Sequence, residues 1–273
     1  MNNGFKVEVS QRMEMQQLDW KRMLLPYTQA VEELKVKFKS IRKEFISLDE
    51  YSPIEFVTGR VKKISSILEK AEKKGIALDE IEEKIEDIAG IRIMCQFVED
   101  IYKVIDIIRA RDRKDLVVIE ERDYITNTKI SGYRSYHMII KYPVQTGHGE
   151  KWIYAEIQIR TLAMNFWATI EHSLRYKYKQ NMPGHIQERL NKAAEAAFLL
   201  DQEMAAIREE VLKCQESFQE ESNLIGDIFT SIQSMNATRN RKDMNEIYEV
   251  FWTLWEEGDM SKLKEFSKSL TKK

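Results

Sequence analysis

The sequence predicts a mixed α/β fold, α+β in its element order, with a sheet of about five strands flanked by helices. Three observations lead there. Apolar residues at helical spacing open the chain and return in its second half. Between them, short runs rich in β-branched residues alternate with a single helix-length segment. Glycine and proline are scarce, 10 and 4 in 273 residues, which leaves room for few linkers.

The elements follow in order. A first helix is expected over about 14–46, where Leu24, Tyr27, Val31, Leu34 and Phe38 recur at spacings of three and four. The turn-like YSP at 51–53 precedes an extended piece, EFVTGRV, and a helix from about Lys63 to Lys74 should end at Gly75. IEEKIEDIAG reads as a short helix or turn leading into a strand, GIRIMCQF (90–97). A helix at 98–111 and a strand at 116–122 come next. Two further strands, 133–144 and 151–160, are joined around the turn-forming TGHGE. Residues 162–180 and 185–216 return to helical periodicity. Beyond about 218 a polar stretch, which includes SMNATRNRKDMN from Ser234, leads to one more helix. Its Ile247, Val250, Phe251, Leu254 and Trp255 form one apolar stripe, to be covered by its own domain or by a subunit or partner. The expected division is a domain over 1–218 and a helical extension over 219–273.

Bulk properties narrow the function classes. No apolar stretch approaches the roughly 20 residues of a membrane span, and the polar N-terminus is no signal peptide. Cys95 and Cys214 are the only cysteines, so a disulfide framework is not expected and a reducing cytoplasm is. A net charge of −2 argues against a general DNA or RNA binder. Local charge differs: RVKKISSILEKAEKK (60–74) carries six basic and two acidic residues, as a solvated helix face or an anion site.

Strand alternation separates the side chains into two faces. In 152–160, Ile153, Ala155, Ile157 and Ile159 are wholly apolar, and Trp152, Tyr154, Glu156, Gln158 and Arg160 lie opposite. In 90–97, Ile91, Ile93, Cys95 and Phe97 oppose Arg92, Met94 and Gln96. In 133–142, Tyr133, Ser135, His137, Ile139 and Lys141 share a face. If these strands are neighbours, one side of the sheet is core and the other gathers Arg92, Tyr133, His137, Glu156 and Gln158. An ordinary solvated face is the plainer alternative. Lys62, Ser66 and Lys70 recur every fourth residue and would line one helix stripe, two ammoniums and a hydroxyl suited to a polyphosphate. Arg60 and Arg92 offer guanidinium planes that stack on a base or bind phosphate. Asp87 and Glu156 are candidate hard-oxygen ligands for Mg²⁺. The four histidines lack zinc-ligand spacing, and no Walker A loop, GxGxxG or GxSxG motif is present.

VTGRVK, DIAGIRIMCQF, ERDYI, SGYRSYH and AEIQIRTLAMNFWATIEHSLRYKY, in this order, closely resemble the synthetase domain of the RelA/SpoT homologue family, more narrowly its short small alarmone synthetases. The likeness runs from about Trp20 to about Glu216. It implies a nucleotidyltransferase-like fold and transfer of the β,γ-pyrophosphate of ATP to the 3′-hydroxyl of GDP or GTP, giving AMP and (p)ppGpp with Mg²⁺ as cofactor. Carried over by position, Arg60 and Arg92 sandwich the adenine, and Lys62, Ser66 and Lys70 hold the ATP phosphates. Asp87 and Glu156 bind Mg²⁺ and are catalytic, with Glu156 assisting deprotonation of the attacking hydroxyl. Tyr133 stacks on guanine, and Arg122, Lys129, His137 and Gln158 line the acceptor. Lys35, Lys39, Phe56, Thr58 and Asn165 match positions that bind a regulatory alarmone between subunits, so the resemblance implies a homotetramer with an alarmone or RNA regulator. The long bifunctional relatives carry a histidine–aspartate hydrolase; here the first histidine is His137, so product degradation is expected to fall to another protein. Two alternatives follow: a catalytically idle relative that binds guanine nucleotides or single-stranded RNA, or a nucleotide polymerase, which would pair carboxylates closely on one strand.

Overall fold

The computed structural model describes residues 3–177, 182–235 and 241–271. The chain forms two compact units, Met1–Ala205 and Ala206–Lys273.

The first unit is built on a five-stranded sheet of order β1-β2-β5-β4-β3. The strands are β1 (Phe56–Val61), β2 (Ala89–Cys95), β3 (Val117–Asp123), β4 (Tyr136–Thr146) and β5 (Gly149–Thr161). Only β2 and β5 run parallel, so the sheet is mixed as expected. One face is the core. Ile91, Ile93, Cys95, Ile153, Ala155, Ile157 and Ile159 are fully buried there, and three helices cover them: α1 (Asn3–Ser47), α2 (Ile64–Lys74) and α4 (Val98–Arg109). A short α3 (Ile81–Lys84) precedes β2. Helix α1 supplies Tyr27, Val31, Leu34 and Phe38, the stripe legible in the sequence. It lies close against β1 because Gly59 has no side chain: a Cβ there would fall 2.8 Å from Val31 Cγ1 and 3.0 Å from Ile91 Cδ1. Helix α2 ends at Gly75, whose φ of 63° is the left-handed conformation that releases the chain without a Cβ penalty.

Three expectations need correction. Helix α1 begins at Asn3, well before residue 14, because no proline or turn cluster interrupts the polar N-terminal stretch. Strand β4 begins at Tyr136, so Tyr133 and Ser135 precede it and owe nothing to strand alternation. They sit at the end of a loop closed by the Tyr124 N–H on Ser135 O (3.0 Å) and by Gly132, at φ 80°. Lys62 lies before α2, which starts at Ile64, and its own N–H donates to Ile88 O just before β2, so it is not on a helix stripe.

Helix α5 (Leu162–Lys177) follows β5; residues 178–180 of the expected helix lie outside the described residues. Helix α6 runs from Gly184 to Met235, longer than the expected 185–216, because Leu224, Ile225, Ile228, Phe229 and Ile232 continue an apolar face through what was read as polar tail. The rest of that stretch, 236–240, lies outside the described residues. Two helices follow instead of one, α7 (Arg241–Glu257) and α8 (Met260–Thr271), with Gly258 at φ 66° between them. In the second unit Ile228, Ile232, Met244, Phe251, Leu263 and Leu270 make a small core. The stripe on α7 is therefore divided: Phe251 is buried, Ile247 and Leu254 partly so, and Val250 and Trp255 remain exposed.

Candidate active site

Register across the sheet assembles the site. Thr58 pairs with Arg92, Arg92 with Gln158, Gln158 with His137 and His137 with Arg122, one rung through all five strands. The adjacent rung on the same face runs Arg60, Gly90, Glu156, Ile139 and Glu120. The face opposite the core thus collects charged groups from strands distant in sequence. A cavity of about 220 Å³ opens over it, lined by Thr58, Gly59, Arg60, Asp87, Gly90, Ile91, Arg92, Glu156 and Gln158. Gly90, between Arg60 and Glu156, leaves that floor clear.

Asp87 sits in the turn before β2 and faces two ammoniums. Lys62 donates to its Oδ2, and Lys70 lies 2.8 Å from Oδ1. Each carboxylate oxygen of Asp87 thus faces an ammonium. Burial pushes the Asp87 carboxyl up, but the two lysines outweigh it and hold the group below its ordinary value. Ser66 is half-buried on the same helix as Lys70.

Glu156 is the hub of the second half. His137 Nδ1 lies 2.9 Å from Oε1, and Gln158 Nε2 donates to Oε2 at 2.7 Å. Burial raises the Glu156 carboxyl and these two partners lower it further, so it too stays ionised. His137 turns Nδ1 to this ionised acceptor, and its Nε2 lies 2.7 Å from the Tyr133 hydroxyl. The same hydroxyl accepts from Arg160 Nη2. Arg160 Nη2 also donates to Gln158 Oε1 at 2.8 Å, and its Nε to Ser135 Oγ at 3.1 Å. Two hydrogen-bonded arms, one through Tyr133 and His137 and one through Gln158, therefore begin at Arg160 and end on Glu156.

Arg160 is the residue the sequence reading passed over. Alternation placed it on the site face, but nothing in the sequence showed that it would be buried or that Tyr133 would turn back onto it. Tyr124 is a second omission. Its ring meets His137 edge-on at a 5.1 Å centroid distance, and Lys129 Nζ lies 4.0 Å above it. Burial lowers Lys129 and raises the Tyr133 hydroxyl. Burial lowers Arg92 as well, assisted by the charges of Arg160 and Arg60. Three guanidiniums this close, with few carboxylates between them, form a receptor for a polyanion.

The structure thus brings together Arg60, Lys62, Lys70, Asp87, Arg92, Glu156, Gln158, His137, Tyr133 and Lys129. Arg122 adjoins His137 by register but is engaged by Glu86 (2.9 Å) and Glu120 (2.6 Å). The five positions matched to a regulatory site do not gather within one chain. Phe56 and Thr58 share the site face of β1, and Thr58 lines the cavity itself. Lys35 belongs to α1, across the sheet beside Gly59, and Lys39 follows one turn on. Asn165 is on α5, its buried Oδ1 without a hydrogen-bond partner.

Two carboxylates kept ionised on one cavity suit a hard divalent cation such as Mg²⁺, which takes few protein ligands and completes its shell with water and phosphate. Among the described residues no cluster of three or more histidine, cysteine, aspartate or glutamate side chains exists. A metal here would depend on substrate oxygens.

Comparison with known proteins places these features. Residues 59–181 match the family described as "Region found in RelA / SpoT proteins". The chain is 59% identical over 204 residues to GTP pyrophosphokinase YjbM of Bacillus subtilis (strain 168), covering 75% of this chain and 95% of that one. The crystal structure of the small alarmone synthetase 1 from Bacillus subtilis bound to its product pppGpp superposes with a TM-score of 0.67 at 60% identity, over 71% of this chain and 98% of that one. The same synthetase bound to AMPCPP gives 0.64 at 57% identity, over 71% and 98%. A relative this similar, matched over 95% of its length, decides the question of kinship: the chain belongs to the RelA/SpoT family.

Proposed function

We propose that this chain is a GTP diphosphokinase, transferring the β,γ-pyrophosphate of ATP to the 3′-hydroxyl of GDP or GTP and releasing AMP. The observation that carries the reading is the cavity lined by Asp87, Glu156, Arg60 and Arg92, with Lys62 and Lys70 paired to Asp87. The likeness to synthetases bound to pppGpp and to AMPCPP supports it.

In the reaction the 3′-oxygen bonds to the β-phosphorus, the bond from that phosphorus to the α-phosphate bridging oxygen breaks, and AMP leaves. Such a transfer asks for alignment and charge neutralisation rather than a covalent enzyme intermediate. Lys62 and Lys70 meet the donor phosphates, exchanging Asp87 for phosphate oxygens, and Ser66 adds a hydroxyl donor. Arg60 and Arg92 flank the adenine. Tyr133, Lys129, Arg122, His137 and Gln158 receive the acceptor, and Tyr133 presents its ring to guanine. Mg²⁺ held by Asp87 and Glu156 would offset charge on the transferred group and lower the pKa of the attacking hydroxyl. Glu156 is a weak base by virtue of its lowered pKa, so its part is to orient the hydroxyl and receive its proton only as the new bond forms. We further propose that the enzyme acts in the cytoplasm as a homotetramer, a reading that rests on the resemblance and on the positions Lys35, Lys39, Phe56, Thr58 and Asn165 that it assigns to a site between subunits. Among the described residues no helix is long and apolar enough to cross a membrane.

The test is direct. The purified chain with ATP, GDP or GTP and Mg²⁺ should release AMP and form a 3′-pyrophosphorylated guanosine nucleotide, and chelation should stop it. Glu156→Gln should lower turnover by about 10³-fold, the scale lost with a group that stabilises transition-state charge, while the circular dichroism melt stays close to wild type. Nucleotide binding without any AMP release would leave a binding protein in place of an enzyme.

A further inference from the structure

Arg134 stands in the middle of GYRSYH, yet the synthetase site draws on its neighbours and not on it. Tyr133 turns to Arg160 and His137, and Ser135 accepts from Arg160, whereas Arg134 reaches α6. Its guanidinium is held there in three ways. Nη1 donates to Ala194 O at 3.3 Å, Nη2 donates to Glu195 Oε2 at 3.0 Å, and the guanidinium carbon lies 4.2 Å from the centre of the Phe198 ring. An ion pair with Glu195 would contribute little by itself, because that side chain is 57% exposed. The hold comes from one planar group, only 12% exposed, that serves a carbonyl, a carboxylate and a ring together. A second tie joins the same two elements: Asn191 Nδ2 donates to Ile130 O at 3.2 Å. Asn191, Ala194, Glu195 and Phe198 recur at i, i+3, i+4 and i+7, which is one face of a helix.

What this stripe holds is the turn that carries two acceptor residues. The Gly132 N–H donates to Lys129 O at 2.8 Å and the Lys129 N–H to Tyr133 O at 3.4 Å, so Lys129 and Tyr133 belong to one hydrogen-bonded turn. The Tyr133 ring packs with Ala197 against the cluster of Trp167, Ala168 and Ala194. The Trp167 indole N–H donates to Leu190 O at 2.9 Å, which fixes α5 to the same part of α6. Arg60, Lys62, Lys70 and Arg92, assigned to the donor, come instead from β1, α2, the segment between them and β2.

We propose that Arg134 is a positioning residue for the acceptor nucleotide: it clamps the turn of Lys129 and Tyr133 onto the 191–198 stripe of α6 and so sets affinity for GDP or GTP without touching either, a role that rests on reading Lys129 and Tyr133 as acceptor residues. With the clamp broken, an acceptor must order the turn before it can bind, and its apparent affinity falls by the fraction of molecules in which the turn is out of place. The donor half of the site keeps its geometry.

The experiment uses the full-length chain, titrated by calorimetry with GTP and separately with AMPCPP, with steady-state turnover measured alongside. Arg134→Ala should raise Kd and KM for GTP by roughly tenfold, the scale of lost hydrogen bonds to a charged group, while Kd for AMPCPP and the melting temperature stay close to wild type. Arg134→Lys should recover only part of the loss, since an ammonium cannot stack and donate in two directions at once. Glu195→Ala should weaken GTP binding in the wild-type background and add nothing once Arg134 is alanine. Trypsin should cut after Lys129 faster in Arg134→Ala than in the wild type. Unchanged GTP binding, equal weakening of GTP and AMPCPP, or additive losses at 134 and 195 would each overturn the proposal. A wild type that binds GTP in this Arg134-dependent way yet releases no AMP would overturn the synthetase reading and leave the clamp standing.

Discussion

Arg160 shows how much one residue can organise without facing the substrate. Its fork joins Tyr133, Gln158 and Ser135, and through the first two it determines where His137 and Glu156 stand. A lysine there would keep the charge and lose the planar geometry that serves three acceptors at once. Arg160→Lys should lower kcat by roughly tenfold to a hundredfold, the equivalent of about 1.5–3 kcal/mol for hydrogen bonds to a charged group. The split between kcat and KM separates this positioning role from simple loss of fold: kcat should fall while KM for ATP and the melting temperature stay close to wild type. A lowered melting temperature with kcat per folded molecule unchanged would make Arg160 merely structural. Asp87, Glu156, Arg60 and Arg92 were legible as candidates chiefly through the motifs that carry the family resemblance, because acidic and basic residues are plentiful in this chain. The hub role of Glu156 was not legible, since it depends on which side chains the register places beside it.

At the scale of elements, the junction of β5, α5 and the first part of α6 holds a titratable group the site does not use. Asp201 is buried and accepts from Thr161 Oγ1 at 2.7 Å, while that same oxygen accepts from the Met164 N–H at 3.1 Å near the start of α5. Burial, with Glu99 nearby, pushes the Asp201 carboxyl up to about 6 from 3.8. A carboxyl whose folded pKa is raised favours the fold while protonated and ceases to do so as pH rises through the folded value. Asp201→Asn keeps an acceptor for Thr161 and cannot ionise. Its urea midpoint should therefore exceed that of the wild type at pH 8, by about 2 kcal/mol of stability, and the gap should close near pH 4. A gap independent of pH would refute the burial of an ionised Asp201. Gly132 acts at the same scale. A Cβ there would meet Ala194 Cβ at 2.5 Å, so the loop bearing Lys129 and Tyr133 can lie against α6 only where this residue is glycine.

Across the whole molecule, the sheet core and its helices fall within residues 1–205, and the small core of α6, α7 and α8 falls within 206–273. Each unit buries its own apolar residues, and the relative from Bacillus subtilis is matched over 95% of its length by 75% of this chain. A chain ending at Ala205 should therefore fold and keep most of its turnover with ATP and GTP. Loss of activity on truncation, with the circular dichroism spectrum of the sheet retained, would show that the second unit contributes to catalysis.

The sequence by itself determined the order of elements, the two-faced strands and the identity of most charged groups at the site, because periodicity and residue chemistry are local properties of the chain. It misjudged the start of β4, the position of Lys62 and the extent of α6. Tyr133 is held by Arg160 from 27 residues away and Lys62 by Asp87 from 25 away, and the end of α6 is held by α7 and α8. Only the tertiary structure decided the register that sets Arg92, Gln158 and His137 in one row, and the convergence of two lysines on one aspartate. Those are long-range matters: pairing between strands and burial against distant helices fix them, and no window along the sequence contains both partners.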